Sequence, residues 1–220
     1  PVVHSFACFL SARPNEQIYN NATEQTKIVY VGSLAGVLPG GPGHSHQAVR
    51  DISSLAAIPG LSIIEPSCER EVADVLDWAL NSNPYSTYIR LVSLPWELGI
   101  DMSSSVNLAA GEGRILRNGE DLAIFAYGPI MLSQAIKAAE IAHEKYGIDA
   151  GIINFPWLNR VSANWLDEVT SQVKGIVVVE NHYLVGGLSD RIGGALVRSG
   201  KSVKPVLSMG LTEIPKSGRN

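Results

Sequence analysis

The chain has 220 residues, of which 45% are hydrophobic and 17% charged, and its net charge is −4. That length allows one large domain or two small ones with a core each. The mild acidity, with no cluster of Lys or Arg, argues against a nucleic-acid or anionic-membrane surface, and no apolar run approaches the ~20 residues of a membrane span. Cys8 and Cys68 are the only cysteines, far apart and without metal-ligand spacing. They read as two thiols in a reducing compartment, and no secretory leader is visible, so a cytoplasmic location is expected.

In chain order, residues 2–7 are predicted as a strand, apolar and β-branched at the start. Pro1 is not a start methionine and Val2-Val3 already reads as strand, so the sequence is expected to begin inside a domain. Strands are also predicted over 27–32, 61–65 and 88–92, short apolar runs that suit a parallel sheet covered on both faces. Between them, Val49, Ile52, Ser53, Ala56 and Ala57 mark one helical face. Val72, Val75, Leu76, Ala79 and Leu80 mark another, with Ser67 as the expected N-cap and Glu69 and Glu71 in the first turn. Residues 94–110 break both periods, being rich in Ser, Pro and Gly, and read as a linker. Alternation then resumes: strands over 122–126, 151–155, 176–179 and 203–207, and helices over 131–146, 164–174 and 188–199. The fold class is therefore α/β, two successive open, mostly parallel sheets covered by helices. The boundaries are set at 1–95, a linker at 96–112, and 113–220.

Three clusters could carry chemistry. Phe6 and Phe9, with His4, lie at the end of the first predicted strand. They read either as core aromatics or as an aromatic wall for a flat heterocycle. His44 and His46 lie in the glycine loop Gly41-Pro42-Gly43-His44-Ser45-His46-Gln47. Glycine permits close backbone approach to a ligand, and imidazole is the side chain suited to proton transfer near neutral pH. Solvated loop histidines are the plain alternative. No third ligand lies nearby, so no metal site is assigned. Glu180-Asn181-His182-Tyr183 with Gly186-Gly187 sits at a strand's carboxyl end, where open α/β sheets bind ligands. It lacks a full dinucleotide fingerprint and reads first as a structural turn, second as a subunit contact.

Taken together, these motifs resemble the transketolase family, including the 1-deoxyxylulose-5-phosphate synthases. Pro1-Val2-Val3, Phe6, Phe9 and Leu10 follow its aromatic strand. Ala35-Gly36-Val37, Ser45-His46-Gln47, Asp51, Leu55, Ile58-Pro59, Pro66 and Glu71 keep the family's order. From Gly113 onward the chain is similar to the family's C-terminal domain, with Glu180, Gly186-Gly187, Val206 and Gly210 on its pattern. The resemblance implies the later part of a pyrimidine-binding domain followed by a transketolase C-terminal domain. It implies two-carbon ketol or acyl transfer with thiamine diphosphate, on a small sugar or keto substrate. Phe6 and Phe9 would hold the cofactor ring, His46 would be the catalytic histidine, and His44 and Arg90 would face substrate. Magnesium would be held mainly by an N-terminal diphosphate-binding domain or subunit, and the complete protein would be a homodimer. The alternatives are a decarboxylating synthase, an oxo-acid dehydrogenase beta-type subunit, or a non-catalytic assembly module with the same fold.

The departures from the pattern carry expectations of their own. The family's third ring aromatic falls on Ala12, and the acid of its histidine loop on Pro42. Its cationic and polar substrate anchors fall on Gly32, Ser33 and Ser93. A weaker requirement for phosphorylated substrates is expected, unless Arg90 or Arg13 restores a charge at the cleft. The glutamate that activates the cofactor and the diphosphate-magnesium motif are expected upstream of Pro1.

Overall fold

The computed structural model of the chain describes residues 1–104, 109–200 and 204–218. Its first unit opens with β1 (Val2–Phe6), followed directly by α1 (Ala7–Ala12) and α2 (Asn15–Thr23). Next come β2 (Val29–Ser33), α3 (Asp51–Leu55), β3 (Ser62–Ile64), α4 (Glu69–Asp77) and β4 (Thr87–Leu91). The helix α4 runs on through a π-helical turn, Trp78–Ser82. The strands form a four-stranded sheet in the order β1-β2-β4-β3, parallel throughout. Parallel strands need crossovers, and the helices that supply them cover the sheet.

The second unit contains β5 (Arg114–Arg117), β6 (Leu122–Ala126), α5 (Gly128–Tyr146), β7 (Ala150–Asn154), α6 (Ala163–Thr170), β8 (Gly175–Tyr183), α7 (Leu188–Ser199) and β9 (Val206–Leu211). Its five strands run β5-β7-β6-β8-β9, with only β5 antiparallel. The expected α/β class with two mostly parallel sheets is what the structure has. No described helix is long and apolar enough to cross a membrane.

Several local expectations need correction. Phe9 lies on α1 and not on the first strand, because the chain turns helical at Ala7. The helices α1 and α2 and the strand β5 were not predicted. The N-cap position of α4 is Cys68, not Ser67. Ser67 instead donates from its Oγ to Asn154 Oδ1 at 2.8 Å, and its N–H donates to Glu71 Oε2 at 2.7 Å. The expected linker has no helix or strand among its described residues, and 105–108 lie outside them. Of the last predicted strand, Val203 also lies outside the described residues.

The two units share one core. Ile63, Ile64 and Tyr88 of the first sheet pack in the same buried cluster as Phe125, Tyr127, Phe155 and Trp157 of the second. The free edge of β3 is covered by the chain leaving β7. Glu65 N–H donates to Pro156 O at 3.0 Å, Leu158 N–H to Ile63 O at 2.9 Å, and Ile63 N–H to Asn159 Oδ1 at 2.9 Å. Covering an edge in this way satisfies backbone groups that would otherwise be left open.

Candidate functional site

The aromatic cluster forms where β1 ends and α1 begins. Parallel pairing puts Phe6 opposite Ser33 and Ser33 opposite Leu91, so these residues share the carboxyl edge of the sheet. The break at Ala7 matters for the geometry. In a strand, Phe6 and Phe9 would point to opposite faces. With Phe9 one turn into a helix, their rings meet at 5.9 Å.

His46 reaches the same spot from the glycine loop, its ring 6.0 Å from Phe6 and 5.1 Å, edge-on, from Phe9. Its Nδ1 is 2.9 Å from Ser45 Oγ. Phe6 is 40% exposed, so the cluster is an open wall and not part of the core. Arg13, four residues after Phe9, lays its guanidinium 4.1 Å from the centre of the Phe9 ring. His4 meets Ser33 Oγ through Nε2 at 3.1 Å. The structure thus brings Phe6, Phe9 and His46 together. His44 is exposed on the loop beside them. Cys8, next to Phe9, has its thiol pushed up by burial, which keeps it protonated and disfavours a nucleophilic role.

Arg90 is elsewhere. Its side chain is wholly buried, which corrects the expectation that it faces substrate. Nε donates to Asp51 Oδ2 at 2.7 Å and Nη2 to Asp51 Oδ1 at 3.2 Å, a two-pronged ion pair. Nη1 pairs with Glu65 and donates to Asn181 Oδ1 at 3.1 Å, and Nη2 donates to Ala48 O at 3.0 Å. One guanidinium therefore joins α3, the residue following β3, β8 and the end of the histidine loop. Burial raises Glu65 to about 7, against the pull of Arg90. Two carboxylates share one cation here, and the second is held near its neutral form. Gly36 (φ +81°) lets Asn181 approach, since a Cβ there would come within 2.6 Å of Asn181 Nδ2.

The Glu180 segment is tied to the start of α7. Glu180 accepts from Leu188 N–H at 2.9 Å, Ser189 N–H at 3.3 Å and Ser189 Oγ at 2.8 Å. It thereby caps the first turn of α7. His182 accepts Ser53 N–H on Nε2 at 3.3 Å. The 2.6 Å contact of Nδ1 with the Tyr183 carbonyl then assigns the proton to Nδ1. Burial lowers its pKa, consistent with a neutral ring. Among the described residues no three His, Cys, Asp or Glu side chains are placed to hold a metal ion.

The sequence and structure comparisons bear on this site. Residues 1–92 match the transketolase pyrimidine-binding domain, and residues 111–220 match the transketolase C-terminal domain. A 1-deoxy-D-xylulose-5-phosphate synthase of Clostridium acetobutylicum is 28% identical over 192 residues, covering 87% of this chain and 30% of that protein. An uncharacterised transketolase family protein of Sinorhizobium fredii, y4mN, is 32% identical over 206 residues, covering 93% of this chain and 58% of that one. The chain thus spans from under a third to somewhat over half the length of these relatives. A solved structure described as a split gene transketolase, an inactive beta4 tetramer, superposes with a TM-score of 0.84 at 24% identity, over 97% of this chain and 67% of that one.

Proposed function

Since the chain belongs to the transketolase family and carries its pyrimidine-binding and C-terminal domains in tandem, we propose that it is the later section of a thiamine-diphosphate-dependent enzyme transferring a two-carbon ketol or acyl unit. The convergence of Phe6, Phe9 and His46 at one open sheet edge carries this reading.

The residues present fit the ring of the cofactor. A flat heterocycle wants an apolar aromatic surface, and the half-open wall of Phe6 and Phe9 supplies one. Thiamine diphosphate, when bound, supplies the carbon nucleophile that these side chains cannot. Phe6 and Phe9 would hold the ring and exclude water from one side. His46, seated against both rings, would hold or deliver a proton at the substrate oxygen. His44 would line the substrate side. The diphosphate and Mg2+ would be held by an N-terminal diphosphate-binding domain or subunit. The split arrangement named for the structural neighbour fits a separate subunit. In a homodimer, this wall would face such a domain. The two free thiols fit a cytoplasmic setting.

The complete protein, supplied with thiamine diphosphate and magnesium, should transfer two carbons from a ketose to an aldose. His46→Ala should lower turnover by roughly 10²–10⁴. Near-normal turnover in that variant would reduce the histidine to loop scaffolding and refute the site. The relatives named as 1-deoxyxylulose-5-phosphate synthases favour a second reading, a decarboxylating synthase. Carbon dioxide release from pyruvate, with no transfer from ketose, would select it.

A further inference from the structure

The histidine loop is tied at both ends to the second unit, and one of those ties is made by the chain's last described residues. At the far end, Val49 O accepts from Tyr183 N–H of the second unit at 2.9 Å, while the neighbouring Ala48 O accepts from the first unit's own Arg90 Nη2 and Gly36 N–H, each at 3.0 Å. At the near end, Ser217 Oγ donates to Gly41 O at 2.8 Å, and Gly218 N–H donates to Gly40 O at 3.2 Å.

Between these ties the loop folds back on Gly43. Gly43 N–H donates to Gly40 O at 3.1 Å, and Gly43 O accepts from His46 N–H at 3.0 Å and Gln47 N–H at 3.2 Å. Gly43 has φ +74°, and a Cβ there would stand 3.2 Å from the Ser217 Cβ, so the strap lies directly against the turn. The loop's buried Gln47 donates from Nε2 to Val37 O at 2.9 Å. His44 and Ser45 are exposed, and the His46 side chain touches only Ser45, Phe6 and Phe9 among the hydrogen bonds and ring contacts described.

We propose that the segment Ser217-Gly218 is a strap that positions His46: the C-terminal domain contributes to the site by fixing the histidine loop and not by touching substrate. Ser217 and Gly218 are positioning residues under this proposal. The second unit then holds the loop at two places, a buried one where Tyr183 meets Val49 and an outer one where Ser217 and Gly218 meet Gly41 and Gly40. The outer clamp includes the two hydrogen bonds from Ser217 and Gly218. The catalytic half of the proposal rests on the role assigned above to His46.

The test uses the complete protein and the variants Ser217→Ala/Gly218→Pro and Ser217→Thr. Hydrogen–deuterium exchange in the peptide covering 40–48 reads the loop directly, with no need of activity. The double variant should exchange there roughly 5–10-fold faster, with the rest of the chain unchanged. Its kcat should fall by roughly 3–10-fold while the affinity for thiamine diphosphate stays within about twofold. Ser217→Thr, which keeps the hydroxyl, should behave as wild type. Unchanged loop exchange in the double variant overturns the strap. So does faster exchange spread over the whole chain, or a loss of cofactor affinity in step with kcat. A complete protein with no two-carbon transfer would instead refute the proposed function, and the exchange of residues 40–48 would still decide the strap.

Discussion

Glu65→Gln isolates the titration of one buried carboxyl and tests the ion cluster between the sheets. Glu65 is fully buried, and burial moves it from 4.5 to about 7, with Arg90 opposing. A carboxyl with a raised folded pKa holds its proton longer in the folded state than in the unfolded one. Its contribution to stability is full below the unfolded value of 4.5 and is lost as pH rises through about 7. Across that whole interval the linkage is ~3 kcal/mol, of which ~2.5 kcal/mol falls between pH 5 and pH 8. The Gln side chain keeps one acceptor oxygen, enough for Arg90 but not also for Asn181, which donates to the other oxygen of Glu65, and it does not titrate. Urea unfolding of both proteins at several pH values reads the effect. The stability of wild type relative to the variant should decline by ~2.5 kcal/mol from pH 5 to pH 8. A difference constant to within ~0.5 kcal/mol, or one that grows with pH, would refute the assignment of Glu65 as the carboxyl held near neutral.

Arg90→Ala strands Asp51 and Glu65 in the core and should cost ~3–5 kcal/mol in the same unfolding assay, with Arg90→Lys recovering part because it keeps the charge but loses the fork. On substrate choice, Gly32, Ser33 and Ser93 bring no charge to the sheet edge and Arg90 is committed to the interior. A phosphorylated ketose should therefore outcompete its unphosphorylated partner in kcat/KM by less than ~10-fold, and Arg13→Ala should remove that preference. A much larger preference that survives Arg13→Ala would contradict it.

The alternation of strand and helix was legible because most strands are short apolar runs and the helices between them have one apolar face. What was missed has a physical reason. The helix α2 buries only Ile18, so no apolar period marks it. The strand β5 is four residues of mixed polarity at a sheet edge. Phe6 and Phe9 were visible as a pair, but their meeting depends on the strand breaking into a helix at Ala7, which local pattern did not show. Arg90 stood out as a charge within the apolar run 88–92. Its partners Asp51, Glu65 and Asn181 come from α3, the residue following β3, and β8, far apart in the chain, and only the fold brings them to one guanidinium. The tie of Ser217 to Gly41, 176 residues earlier, and that of Gly218 to Gly40 leave no trace in local sequence.

The central claim is that Phe6 and Phe9 form the wall that holds the cofactor ring. Calorimetric titration of thiamine diphosphate, with magnesium present, into the complete protein and its Phe9→Ala variant tests it most directly. Loss of the ring contact is worth ~0.5–1.5 kcal/mol beyond area burial, so the variant should bind roughly 2–12-fold more weakly, or worse. Equal affinity in a variant whose unfolding is unchanged would contradict the account.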